Sequence, residues 1–346
     1  LRRRDGFDII TGRLDDLDLA QPAVTGIFDS EFSNTNSWTL AFVGSKLKYD
    51  NTTWQTVTGS GQITSGQNNQ WVCIMALDNA VCTNNTDVPI AVNSAPFHSK
   101  FTFDGLTNTI TKAKAVVWFK NYLIWGNTTE GGTARPTRFR WSNVGTLTTY
   151  TNADFNDIAS LSGDEIVAFQ ELYGDLYIFM RKSIWKATLV GGNDVFVFSK
   201  VIENLGAIAK NSVRLISFPD NRQGIGFLDE NKKILLFNGS VIEDIGFIIQ
   251  PSLNKLDASR LEFAVAVFDG ADYFIALSTD GSSKHDVVYD YQVQIGEWSK
   301  HDQIDANAFA RVKESSGRIK TYFGNFDSFV YWMDKDDFLN DVDGAI

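Results

Sequence analysis

The sequence predicts an all-β chain folded as a β-propeller of about six or seven blades, with little helix. Three observations carry this expectation. Helical periodicity is scarce, short turn-then-strand units return along the chain, and 13% of the residues are aromatic, including 26 Phe, 9 Trp and 10 Tyr. Aromatic rings suit the half-buried face of a pleated sheet.

The units can be followed in order. A turn residue leads into an apolar or aromatic run at Ser45–Asp50, Asp78–Thr83, Asn121–Gly126, Gly174–Phe179, Lys232–Phe237, Ala271–Leu277 and Phe326–Trp332. A second run carrying Trp follows the first, fourth and sixth of these, in NTTWQTV, RKSIWKA and IGEWSKH. With Tyr49, Cys82, Trp125, Phe179, Phe237, Leu277 and Tyr331 as markers, the spacing varies from 33 to 58 residues. Each unit reads as a small antiparallel sheet that cannot bury both faces alone, and radial packing solves that problem. A sandwich with long loops is the alternative architecture. The expected division is an N-terminal arm or first strand over 1–20, one propeller over 21–333, and an acidic segment over 334–346. The single helical candidate is Pro251–Phe263, where Leu253, Leu256 and Leu261 form a partial stripe.

Composition narrows the function. Asp and Glu number 42 against 31 Lys and Arg, a formal net charge of -11. Sequence-independent grip on DNA needs cations to neutralise phosphates, so it is not expected here. No apolar run reaches 18 residues, and no membrane anchor is expected. The chain starts at Leu1 and shows no signal-peptide core, which says little because the first residue is not Met.

RPTRFRWSNVG, Arg135 to Gly145, is the most unusual stretch. As a strand it points Thr137, Phe139 and Trp141 one way and Arg138 and Arg140 the other. Pro136 starts that strand, and Ser142 to Gly145 turn it. The rings join a core, while the arginines face solvent, an acidic loop or another subunit. Arg135, Arg138 and Arg140 are therefore interface candidates, together with Arg2, Arg3 and Arg4 in the basic start LRRRDGF, which suits protein contact better than DNA.

No catalytic, cofactor-binding or metal-binding residue is assigned. YDNTTWQ (Tyr49–Gln55) holds only part of the Asp-box of sialidase-type propellers. The adjacent pair Asp164-Glu165 reads as solvated surface acid. His98, His285 and His301 stand alone, the latter two in exposed-looking turns. DVDG at Asp341–Gly344 is only a fragment of a calcium loop. Cys73 and Cys82 face each other across a hairpin, where two buried free thiols are favoured over a disulfide. The Asn-x-Ser/Thr triplets at Asn51, Asn84, Asn127 and Asn238 read as coincidence in an Asn- and Thr-rich chain.

The ordered pieces resemble a known family. LRRRDGF is similar to the basic-then-Gly opening of phage virion propellers, with Asp5-Gly6 where Pro-Gly is expected. AVVWFKNYLIWGNTTEGGTARPTRFRWSNVG resembles their middle blade, DEIVAFQELYGDLYIFMRKSIWKATLVGG the next, and GFLDENKKILLFNGSVIEDIG the one after. VVYDYQVQIGEWSKHD resembles a late blade ending in a Trp strand. Over Ala115 to Trp332, the chain thus resembles the tail nozzle or hub β-propellers of short-tailed bacteriophages. That resemblance implies a non-enzymatic virion protein in a ring, commonly hexameric, below the portal and its adaptor. Such a ring extends the channel for genomic DNA without sequence-specific binding, which an acidic lumen would also favour. The alternative is a secreted propeller that binds a ligand or hydrolyses a glycan.

Overall fold

The computed structural model describes residues 7–9, 14 and 21–333, apart from 35, 52, 159–161, 193, 303 and 315. The expected segment 334–346 and Arg2 to Arg4 lie outside the described residues.

Strands alternate with tight turns to give seven antiparallel sheets, arranged as the seven blades of a β-propeller. Their innermost strands are Val24–Glu31, Val72–Ala76, Ile110–Phe119, Ile166–Leu172, Arg214–Ser217, Val265–Phe268 and Ala308–Lys313. The second blade gains Thr58–Gly59, which runs parallel to its Phe97–Lys100. Phe7–Ile9 pairs with Val330–Met333 as the outermost strand of the seventh blade. Phe7–Ile9 and Val330–Met333 thus share one sheet, joining the first and last described strands in one blade.

Packing explains why seven sheets hold together. Seven apolar clusters fill the seven spaces between neighbouring blades, each drawing residues from two consecutive sheets. The cluster of Val24, Ala41, Ala308 and Tyr322 joins the last blade to the first. Gly324 lies at that seam, where an added Cβ would collide with the Val24 side chain. Some middle strands are buried throughout, as in Ile234–Phe237, whereas an outermost strand such as Thr53–Thr56 is largely exposed.

Because successive strands are antiparallel, all innermost strands begin at one face of the disc and end at the other. We call these the lower and upper faces. The turns after the first and third strands lie at the upper face. The connections between blades lie at the lower face.

The seven sequence markers fall one in each blade. Their spacing is uneven because they occupy different strands: Trp125, Phe179 and Leu277 lie in second strands, whereas Tyr49, Phe237 and Tyr331 lie in third strands. The helical expectation is corrected. Only Gln250–Leu253 is α-helical, and Ala258–Phe263 is a 3-10 turn. Asp257 takes an extended conformation between them and accepts the Ser259 N–H, which breaks the continuation. The Leu253, Leu256 and Leu261 stripe is nonetheless buried. Pro136 does not start its strand, which begins at Thr133; it lies opposite a register shift at Asn127, where no ladder bond is required of it.

Candidate functional site

Residues just before the innermost strands converge on the axis at the lower face. Gln70 precedes Trp71 and Val72, and its side chain reaches across the centre. Its Nε2 donates to the Phe263 carbonyl at 2.7 Å and to Asn307 Oδ1 at 3.3 Å. Lys210 Nζ donates to the Gln70 carbonyl at 2.6 Å. Asn307 Nδ2 donates to the carbonyls of Val24 and Gln67, each at 3.0 Å. The approaches to blades one, two, five, six and seven are thereby tied into one polar closure of the axis. Burial pushes the Lys210 ammonium down to about 7; the charge of Lys114 adds to this and Glu262 opposes it. Beside the closure, Glu165 is held by Lys114 Nζ at 2.9 Å and by Asn127 Nδ2 at 2.9 Å.

A cavity of about 280 Å³ lies against the innermost strands of the same five blades. Thr25, Asp29, Cys73, Asn211, Arg214 and Arg311 contribute to its wall. Arg214 is fixed by its Nε donating to the Ala266 carbonyl at 2.8 Å and its Nη1 to the Val213 carbonyl at 3.0 Å. Burial holds its pKa below the ordinary arginine value. Asp29 accepts the Lys313 N–H at 2.9 Å. Burial raises its carboxyl above the usual range, against that hydrogen bond. This arrangement can hold a small polar molecule. Among the described residues no cluster of His, Cys, Asp and Glu suits a metal.

The residues singled out in the sequence are placed elsewhere. Arg138 and Arg140 are buried at 7% and 3% exposure, so neither is offered to a second subunit. Of the three placements open to them, the chain's own acids provide it. Arg138 Nε and Nη2 grip Asp157 at 2.8 and 2.7 Å, and Nη1 donates to Glu130 at 2.8 Å. Both guanidiniums also pack on the Phe155 ring, at 3.7 and 4.9 Å from its centre. Phe139 and Trp141 join the core between blades three and four, as the alternation predicts. Arg135 alone of this group is exposed.

Other readings change as well. Cys73 and Cys82 form a disulfide rather than two free thiols. They are directly paired across a hairpin whose tight Leu77-Asp78 turn leaves their Cα atoms 4.2 Å apart. Asp164 is buried at 3%, not solvated; it accepts the Glu165 and Lys182 N–H groups and the Ser183 hydroxyl, while Glu165 is ion-paired. His285 is fully buried rather than exposed, with Nδ1 2.7 Å from the Ala306 carbonyl, and burial lowers it to about 4. His301 is half-buried, 3.8 Å from Asp290. The amides of Asn84 and Asn127 donate within the chain, to Asp87 and Glu165. Asp341–Gly344 lies outside the described residues.

Gln70, Lys210, Arg214 and Asn307 carried no recognisable motif. Their common property is position just before, or at the start of, an innermost strand. That position becomes visible only when the strand register of each blade is known.

No family model and no curated protein matches this chain. Solved structures do. The extracellular domain of a one-component system from B. thetaiotaomicron aligns with a TM-score of 0.58 at 11% identity, over 97% of this chain and 40% of that one. This chain thus spans well under half of that protein's length. A catalytically inactive virginiamycin B lyase from Staphylococcus aureus, solved with quinupristin, aligns with a TM-score of 0.57 at 10% identity, over 94% of this chain and 99% of that one. At such identities the likeness shows the β-propeller fold and nothing finer.

Proposed function

We propose that this chain is a non-enzymatic structural propeller of a phage virion, a tail nozzle or hub component that assembles with copies of itself into a ring. One observation carries the assembly part of this reading. Twelve large hydrophobic side chains are exposed among the described residues, and ten lie at or beside upper-face turns: Leu77, Phe97, Val144, Tyr173, Leu189, Val190, Val197, Val241, Ile295 and Ile319. The remaining two, Phe247 at 74% and Ile248 at 77% exposure, are adjacent on the lower side between blades five and six. Exposed apolar side chains on the turns of six blades, and an adjacent pair on the opposite face, support contact with other molecules. Their presence on both faces suits a head-to-tail contact, which closes into rings when the rotation allows.

The resemblance over Ala115 to Trp332 supplies the virion part, with the portal, its adaptor or other tail proteins as neighbours. In this reading duplex DNA passes through the centre of the ring, between copies. The propeller's own axis is closed at one end by Gln70 and Asn307. The net charge of -11 favours a passage to which DNA does not adhere.

A secreted ligand-binding or glycan-hydrolysing propeller is the second reading. The disulfide favours an oxidising setting, but virion surfaces share that property. Negative-stain imaging and native mass of the assembly separate the two. A closed ring with a duplex-wide opening supports the first, and a monomer found free of any particle rejects it.

A further inference from the structure

Arg214 and Arg311 both line the central cavity, and among the described residues neither has a carboxylate within ion-pair distance. That is unusual in a chain with 42 acidic residues. Arg214 is half-buried and Arg311 is exposed at the cavity's edge, whereas the more deeply buried Arg138 and Arg140 are matched to Glu130 and Asp157. The partly desolvated guanidinium of Arg214 is less favourable without a counterion, and a bound anion offsets that cost. The fork of Arg214 is also oriented. Two of its nitrogens are fixed by the Ala266 and Val213 carbonyls, which leaves Nη2 without a protein partner. Arg311, exposed on blade seven, lines the same cavity and makes no hydrogen bond or ion pair among the described residues.

We propose that the central cavity is a binding site for a small organic oxyanion, a carboxylate or phosphate ester, gripped by Arg214 and Arg311. Guanidinium forks match either group through paired hydrogen bonds. The volume of about 280 Å³ admits a metabolite-sized molecule and excludes a polymer. Asp29 on the same wall selects against an anion charged at both ends and accepts a hydroxyl or amino group. The axis closure at Gln70 limits access from the lower face, so the ligand approaches from the upper side. This site does not depend on the assembly reading, because it lies wholly within one chain.

The test uses the full chain at low ionic strength with three probes: lactate, glycerol phosphate and inorganic phosphate. Calorimetric titration and thermal melting are read for wild type, Arg214→Gln and Arg311→Gln. The expected result is saturable binding of lactate or glycerol phosphate with a raised melting temperature. Arg311→Gln should bind about tenfold or more weakly, as loss of a charged hydrogen bond implies. Arg214→Gln should melt higher than wild type when empty, yet show no rise with the probe. That opposite sign distinguishes a ligand-grip residue from a structural one. Response to inorganic phosphate alone would assign the site to the free ion and overturn the organic ligand. Failure of all three probes to bind wild type, or unchanged binding in both variants, would overturn the site itself.

Discussion

Arg140 and Glu130 meet as a two-pronged pair inside the third blade, Nε to Oε1 at 2.8 Å and Nη2 to Oε2 at 2.9 Å. Glu130 also takes Arg138 Nη1 and the Thr128 hydroxyl, so one carboxylate neutralises two buried guanidiniums. Removing one member of such a network leaves charge uncompensated, at a cost of about 3–5 kcal/mol. Glu130→Gln should lower unfolding free energy by that order in urea titration. Arg135→Ala, at the exposed start of the same strand, should change it by less than about 0.5 kcal/mol.

The same pair sets an acid limit. Burial alone would raise the Glu130 carboxyl, but hydrogen bonds and charge from Arg140, with Thr128 and Arg138, hold it below its ordinary value of 4.5. Asp157 is held low mainly by its hydrogen bonds to Arg138. Both folded carboxyls bind protons less readily than the unfolded ones. Their stabilisation is therefore complete above the ordinary carboxylate range and disappears as pH falls through the lowered folded values. Urea midpoints should fall below about pH 4.5 in wild type. Glu130→Gln should show a shallower fall.

The ring seam is closely packed at Gly324. Gly324→Ala should destabilise by about 1–3 kcal/mol, because its Cβ meets Val24. Adding Val24→Ala to that variant should recover part of the loss, an interaction visible in a double-mutant cycle. Strict additivity would show that the two side chains do not compete for space.

The Cys73–Cys82 bond should be present in protein prepared without reductant. Unfolded chain should then release no free thiol, and reduction should lower stability by about 2–3 kcal/mol, the scale for so short a loop. Two titratable thiols in unreduced, unfolded protein would contradict the bond.

These relationships show what could be read beforehand and what could not. Blade number was legible only as six or seven, because each blade contains one strongly apolar strand bounded by turn residues but at uneven spacing. Strand register was not, since Trp125 and Phe237 look alike in sequence but occupy second and third strands. The alternation placing Phe139 in the core and Arg138 on the opposite face was legible from period two. The burial of those arginines was not, because Glu130 and Asp157 lie on two other strands brought alongside by folding. His285 reads as a polar turn residue, and only the neighbouring blade seven makes it interior. The central cavity was invisible for the same reason: five separate chain segments build it.

Assembly through exposed apolar side chains on the two faces is the central claim, and sedimentation velocity over a range of concentrations tests it most directly. Wild type should sediment as a closed oligomer. Phe247→Ser with Ile248→Ser, and separately Val190→Ser with Val241→Ser, should sediment as folded monomers with unchanged circular dichroism. A wild-type chain that stays monomeric at every concentration, or variants that assemble as well as wild type, would contradict it.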